Sequence, residues 1–600
     1  MKQKLTLLTL FLIFITFFNC AKKTPIPKRE FRAVWFTTVK NLDWPKTPYE
    51  TVADQKKDAV EMLNKLQKAN FNAIIFQVRP ECDAFYESKY EPWSFYLTGM
   101  QGKAPKPFYD PLKFIINESH KRSMELHAWI NPFRAERKIG SYPLSETHIS
   151  KIHPEWIYIN GKTQYLNPGI PEVRNYITDV IIDIIKNYDV DGIHFDDYFY
   201  PYSHITNEDS LTFVKYPRGM KNIDDWRRDN INLLISQVYD SMMTIDPSLK
   251  FGISPFGIWK PDHPKGIKGM SGYDNIYCDA LAWLNSKTVD YITPQLYWKI
   301  GGDQDFKKLL KWWSKNLNDR HLYSGHGPYR LHKWKSDEVV NQIKINRKNK
   351  NAQGSVYFRT NVGVLDNPKG FYDSLLTNYY KYPALLPVME WKNSEKPNPP
   401  ENLKYQLDFN KNKKYLTWKR DSANNNYNYV IYKFQNENKT KNKIKDPKHI
   451  IEISNNNKIY LNPIKSKGPF YYAVTKVNKY DLESDVSELF KIDPPNAITL
   501  LSPENDSYFE HDTINFVWNS QNNALSYGIQ FSTDSLFEDI IFEENSLSDT
   551  SVVIAGFCNL NYYWRVIGFG AGGSGNYSDH FTIRSKPYKL HILKNYQIKR

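Results

Sequence analysis

The sequence predicts a (β/α)8 barrel of the TIM type followed by two all-β sandwiches. Three observations carry this reading. Between residues 30 and 382, eight strand patterns alternate strictly with eight helix patterns. After Tyr382 the prolines at 383, 387, 397, 399 and 400 interrupt the alternation. From residue 402 onward, short strands with an early Trp and a later Tyr-rich run occur twice, in the same order and at similar spacing.

The chain opens with Lys2 and Lys4, then an uncharged apolar run from Leu5 to Phe18 that ends at Cys20. That core is short for a membrane span and has the form of a secretory signal. It resembles a bacterial lipoprotein signal over residues 1–19, with Phe18 and Asn19 in place of the usual small residues. The resemblance implies lipidation at Cys20. Residues 20–29 hold two prolines and four basic residues and read as a tether. No Asp follows Cys20, which resembles outer-membrane sorting.

Barrel strands are predicted at 31–39, 72–79, 125–131, 191–197, 250–259, 290–298, 321–330 and 354–360. Helices fall between them at 52–69, 110–122, 171–188, 224–245, 276–285, 306–317, 336–347 and 368–380. In the first, Val60, Leu63 and Leu66 share a face. In the third, Val173, Tyr176, Ile177, Val180, Ile181, Ile184 and Ile185 recur at three and four, and Pro171 suits the first turn. No Gly-rich phosphate fingerprint follows the first strand, which argues against an open nucleotide-binding sheet. Residues 383–401 read as a linker, 402–492 and 497–584 as sandwiches resembling fibronectin type III or immunoglobulin modules, and 585–600 as a basic tail.

Bulk properties exclude more than they assign. The net charge of +15 is spread along the chain without an Arg-rich arm or zinc-finger spacing, so no nucleic acid partner is expected. A basic surface suits anionic lipid or an acidic wall polymer. The four cysteines at 20, 82, 278 and 558 lie far apart and form neither a disulfide framework nor a thiolate metal site. His127, His194, Asp196 and His326 lack helical metal-ligand spacing, so neither a metal nor another cofactor is expected.

Strand ends carry the candidate chemistry. Alternation places Gln77 with Arg79, His127 with Trp129 and Asn131, His194 with Asp196, and Thr293 with Gln295 and Tyr297, on faces opposite the aliphatic residues. One such end is an ordinary buried hydrogen bond. Four together imply a polar pocket at the C-terminal mouth of a barrel. Asp196 and Asp197 are the carboxylate pair of that mouth, and Asp83 is a third acid near it. Asp83 could equally fix its loop by an ion pair with Arg79. Burial beside aromatics should raise the pKa of Asp196 and suit it to acid/base work on a glycosidic bond.

Six ordered motifs then agree with one family: Phe76–Pro80 with Asp83–Tyr86, Glu91–Ser94 with Leu97–Gly99, His127–Arg134, Asp191–Pro201, Gly252–Gly257 and Tyr291–Trp298. Together they resemble the glycosyl-hydrolase-like family 10 domain, over about residues 30–382. That family consists of bacterial envelope barrels, often lipoproteins, and includes a division-site glycosidase acting on peptide-stripped peptidoglycan. The resemblance implies a lipid-anchored envelope glycoside hydrolase. Asp196 would be an essential carboxylate with Asp197 or Asp83 as partner. Arg79, Gln77, His127, Trp129, Asn131, Arg134, His194, Tyr198, Gln295, Tyr297 and Trp298 would position sugar. Residues 191–198 also resemble the chitinase strand signature Asp-Gly-x-Asp-x-Asp-x-Glu, with His194 for the first inner Asp and Tyr198 for the acid Glu. The acid is then Asp197, Asp83 or Asp196 itself. If the sugar is N-acetylated, its carbonyl can serve as nucleophile. Two rival readings stand beside this one: a glycan-binding scaffold without catalysis, and a hydrolase of an external polysaccharide.

Overall fold

The structure is a computed structural model that describes residues 25–408, 413–420, 427–435, 440–509, 513–557 and 561–585. Cys20, the signal and tether residues before 25, and the basic tail beyond 585 lie outside the described residues. The chain divides into two compact units, one comprising residues up to 116 with 125–387, the other 117–124 with 388 onward.

The first unit is a closed barrel of eight parallel strands. They are β1 (Phe31–Phe36), β2 (Ala73–Arg79), β3 (Glu125–Ile130), β4 (Gly192–Phe195), β5 (Lys250–Ile253), β6 (Tyr291–Ile292), β7 (His321–His326) and β8 (Gly354–Tyr357). Each pairs with its neighbours in sequence, and β8 closes on β1 through Phe31 opposite Gly354. All eight predicted strands are present; β2 ends at Arg79 as predicted, and the others stop one to six residues earlier at their C-terminal ends. The residues beyond are apolar enough to read as strand, yet they turn away to build the barrel mouth.

Helices cover the outside. α1 (Val52–Lys68) starts at Thr51, whose side chain accepts from the Asp54 N–H. Its buried face is Val52, Gln55, Ala59, Met62, Leu63 and Leu66, which leaves Val60 at the margin. α2 spans Pro111–His120. α3 (Pro171–Asn187) begins with Pro171 and buries Val173, Ile177, Val180, Ile181 and Ile184. Each of these aliphatic side chains contributes about 1.5–3 kcal/mol on leaving water. α4 (Ile223–Ile245) is capped by Asn222, which accepts from the N–H groups of Asp224 and Asp225. α5 (Ala280–Ser286), α6 (Phe306–Trp313) and α7 (Glu338–Lys348) follow, and the last crossover is a broken helix from Pro368 to Tyr379. The loop after β3 holds a small sheet of Arg134–Glu136, Thr163–Leu166 and Ile157–Asn160.

The barrel unit extends past Tyr382 into the proline-rich stretch. Leu385 N–H donates to Lys28 O at 2.8 Å, and Glu30 N–H donates to Leu385 O at 2.9 Å. This backbone pairing, with Ala384 and Leu385 buried, ties the C-terminal end of the unit to its first strand.

The second unit holds two sandwiches. The first packs sheets of three and four strands around Trp418, Tyr429, Ile431, Tyr472 and Val474. The second packs sheets of three and six around Trp518, Tyr527, Phe531 and Trp564. The repeat read in the sequence is physical: Trp418 packs on Tyr429 with ring centroids at 5.1 Å, and Trp518 on Tyr527 at 5.7 Å.

Candidate active site

The barrel interior is filled in layers. At the N-terminal end, Lys250 Nζ meets Glu125 Oε1 at 2.5 Å, and the second Glu125 oxygen meets His127 Nε2 at 3.1 Å. Against the cost of burial, Lys250 and His127 hold the Glu125 carboxyl down to about 2. The other His127 nitrogen lies 2.6 Å from the Tyr291 hydroxyl. Phe31 stacks on Tyr323 at 4.1 Å in the same layer. Gly252 makes room here, since a Cβ would lie 1.9 Å from the Tyr291 ring. One layer higher, His194 contacts Tyr291 Oη at 3.1 Å and Ser254 Oγ at 3.2 Å, and accepts from Trp35 Nε1 at 3.2 Å. Burial holds His194 well below its ordinary pKa, with His127 adding to the effect, so it is a neutral packing element.

The top layer is the acid pair. Asp196 Oδ2 accepts from Trp129 Nε1 at 3.0 Å and from Asn131 Nδ2 at 3.1 Å, and Oδ1 accepts from Tyr198 N–H at 3.4 Å. Asn131 is oriented in turn because its Oδ1 accepts from Arg134 N–H at 3.0 Å. The Arg134 guanidinium donates to Pro80 O and lies 4.8 Å from the Tyr198 ring centroid. Burial pushes Asp196 up to about 6, opposed by the Arg134 charge and these N–H donors. Asp197 turns the other way. Its Oδ2 accepts from the Tyr202 hydroxyl, and the Gln295 amide, which donates to Ser254 O at 3.1 Å, lies near it. Burial pushes it up to about 7, and the Asp196 charge adds to the rise while Tyr202 opposes it. Two adjacent carboxyls at the mouth of a barrel, titrating near neutrality with different donor sets, can divide acid and base roles.

Aromatic rings surround the pair, half-buried except for the more exposed Tyr202. Tyr198 meets Tyr202 at 5.3 Å, Tyr202 meets Phe256 at 6.1 Å, and Phe256 meets Trp298 at 5.6 Å. Across the mouth, Tyr297 stacks on Phe358 at 5.7 Å, and both meet Tyr329 edge-on at 6.1 and 5.8 Å. Such faces suit the C–H surfaces of sugar rings. Tyr198, which stands where a chitinase has its acid, has its hydroxyl pushed up to about 12 by burial, so it stays protonated and neutral.

The end of β2 is built differently. Arg79 Nε and Nη2 bind Glu91 at 2.6–2.9 Å, and Nη1 donates to Asn131 O and Pro132 O. Arg79 therefore pairs with Glu91 and not with Asp83. Asp83 accepts from Glu81 N–H and Gln101 Nε2, and burial, with the Glu81 charge adding, pushes it up to about 7. Glu81 accepts from Tyr142 at 2.6 Å and Tyr96 at 3.4 Å. Gln77 spends its carbonyl on the N–H groups of Thr38 and Val39.

Of the residues singled out in the sequence, the structure gathers Asp196, Asp197, Trp129, Asn131, Arg134, Tyr198, Gln295, Tyr297 and Trp298 at one mouth. It places His127 and His194 in lower layers, and commits Arg79, Gln77 and Asp83 to buried networks after β2. Tyr202, Phe256, Tyr329, Phe358 and Glu91 were not anticipated. Phe256 and Glu91 lie inside recognised motifs, so the motif was the available signal. Tyr202, Tyr329 and Phe358 carry none beyond following a strand.

Known proteins resemble this chain over the barrel. The family model described as glycosyl hydrolase-like 10 matches residues 30–342. Glycosyl hydrolase YngK of Bacillus subtilis (strain 168) is 42% identical over 402 residues, covering 64% of this chain and 78% of that protein. Glycosyl hydrolase DigH of Escherichia coli (strain K12) is 34% identical over 364 residues, covering 55% and 82%. Among solved structures, the PgaB (BpsB) glycoside hydrolase domain from Bordetella bronchiseptica aligns at TM-score 0.40 and 11% identity, over 58% of this chain and 98% of that one, too distant to bear on chemistry. A family match across the barrel and this identity to YngK leave no other assignment: the chain belongs to the glycosyl hydrolase-like 10 family and is a glycoside hydrolase.

Proposed function

We propose that this enzyme cleaves the glycan strands of the cell envelope, in particular peptide-stripped peptidoglycan, with Asp197 as general acid and Asp196 as its charged partner. The observation that carries the division of roles is the unequal donor set. Asp196 is held by three N–H groups with Arg134 nearby, which favours its ionised form. Asp197 accepts a side-chain hydrogen bond from Tyr202, with the Gln295 amide near it, and faces the charge of Asp196, which favours its protonated form. Asp197 gives its proton to the glycosidic oxygen as the bond to the anomeric carbon breaks. The N-acetyl carbonyl of the sugar that keeps the anomeric carbon closes on that carbon as the other sugar departs, and Asp196 stabilises the positive charge that develops on the amide. Water then opens this intermediate, with Asp197 taking its proton.

The test is release of reducing ends from peptide-free glycan strands. Asp196→Asn and Asp197→Asn should each lose activity at least about 100-fold, within the range for a positioned acid or base. Full activity in both would remove the pair from the mechanism. Cleavage confined to an external polysaccharide would overturn the substrate while leaving the pair in place.

We also propose that Cys20 carries a lipid anchor that holds the enzyme at the outer membrane. The uncharged run ending at Cys20 supports it. Metabolic labelling with a fatty acid, compared between wild type and Cys20→Ala, tests it. Label retained by Cys20→Ala would refute the anchor.

A further inference from the structure

The far wall of the mouth carries a cation that no carboxylate neutralises. Arg330 ends the short turn Pro328–Arg330 just beyond β7. Its Nε donates to the Tyr329 hydroxyl at 3.0 Å, and its guanidinium lies 5.6 Å from the Tyr329 ring centroid. Among the described residues no Asp or Glu lies within ion-pair distance of it. Most other arginines of this unit differ, apart from Arg134 and Arg174, which donate to the carbonyls of Pro80 and Pro168. Arg32 and Arg347 share Glu30, Arg79 binds Glu91, Arg227 binds Asp209 and Arg228 binds Asp225. Arg359, on the same wall, donates to Leu42 O and lies close enough to Asp43 to oppose the rise that burial gives that acid's pKa.

Arg330 is also held in place. Tyr329 is fixed edge-on against Tyr297 and Phe358. Gly327 leaves the space this needs, since a Cβ there would lie 3.1 Å from Tyr297 and 3.2 Å from Tyr329. The Tyr297 hydroxyl feels the charges of both Asp197 and Arg330, so the cation and the acid flank one aromatic ring. A half-buried, pre-oriented guanidinium beside a sugar-stacking wall is built to receive a planar anion.

We propose that Arg330 is a specificity-determining residue that binds a carboxylate on the sugar next to the scissile bond, so that the substrate is an acidic glycan and not a neutral one. This rests on the glycan-strand reading above and narrows it. The carboxylate can be a lactyl ether on an amino sugar or a uronic acid.

The experiment compares kcat/KM on peptide-free glycan strands with kcat/KM on the same strands after their carboxyls are reduced to alcohols. Wild type should prefer the carboxylated form. Arg330→Gln should lower that preference about 10- to 100-fold, the range for one charge-assisted hydrogen bond, mainly through KM, and Arg330→Lys should restore part of it. A merely structural role would lower both rates together and leave the preference as in wild type, which would overturn the proposal. Should wild type cut no such strand, the glycan-strand reading fails, and Arg330 is then judged by binding. Tryptophan fluorescence of wild type and Arg330→Gln is titrated with N-acetylmuramic acid, glucuronic acid and N-acetylglucosamine. Tighter binding of one acid than of the neutral sugar, lost in Arg330→Gln, supports the proposal and names the source of the carboxylate. No preference for either acid overturns it.

Discussion

The ends of β2 and β4 both present buried charge at the mouth of one barrel, and they resolve it in opposite ways. At β2, Arg79 is matched by both oxygens of Glu91 and by two backbone carbonyls. The Arg79 and Glu91 charges compensate each other, and their network holds the loop that carries Pro132 and Arg134. At β4, Asp196 and Asp197 lie side by side with no salt-bridged cation, only N–H and O–H donors and Arg134 at longer range. Compensated burial makes a scaffold. Incompletely compensated burial raises the pKa of both acids toward neutrality, the range a general acid needs.

The contrast can be broken from either side. The largest effect expected is catalytic: Asp197→Asn should lower kcat on glycan by about 10²–10⁴, the contribution of a general acid, with the fold intact by circular dichroism. Next comes Glu91→Gln, which leaves Arg79 charged and buried without its partner. It should cost about 3–5 kcal/mol of stability, read by urea unfolding, and should lower activity only as the loop loosens. If Glu91→Gln were neutral and Asp197→Asn unfolded the protein, the two ends would have been assigned the wrong way round.

Smaller effects sharpen the comparison. The folded acids titrate at about 6 and about 7 against an ordinary carboxyl value near 4. Between those limits the folded state binds more protons than the unfolded state, so the pair's contribution to stability falls as pH rises from about 4 to about 7 and is level above. Asp197→Asn should flatten this fall, raising the melting temperature at pH 8 relative to wild type while changing it little at pH 4. For the same reason kcat/KM should pass through a maximum between pH 6 and 7, with apparent pKa values that belong to the pair and shift in either single variant. Smallest is Trp298→Ala on the rim, expected to raise KM about 5- to 20-fold by losing one stacking face, with kcat nearly unchanged.

Much of this was legible in the residues. Eight strand and eight helix patterns named the barrel, because each element must bury one stripe and the two periods differ. Alternation also said which side chains face inward along each strand. It could not say how deep each lies. His127, His194 and Asp196 all point into the barrel, yet His127 sits beside Glu125 and Tyr291 in the lowest layer, His194 one layer up, and only Asp196 at the mouth. Depth follows from strand register and stagger: Trp129 lies opposite His194, which leaves Asp196 beyond the last paired residue of β4.

What the sequence by itself determined is therefore the architecture and the inward-facing set, with Asp196, Asp197 and Asp83 as the candidate acids, since these follow from local periodicity and short contiguous motifs. Only the tertiary structure decided which polar residues compensate one another. Arg79 chose Glu91, twelve positions along the chain, where Asp83 was nearer in sequence, and Asp197 came to lie near the Gln295 amide from another strand end. Electrostatic partnership depends on distances through space, and a closed barrel brings together at one mouth residues that the chain holds far apart.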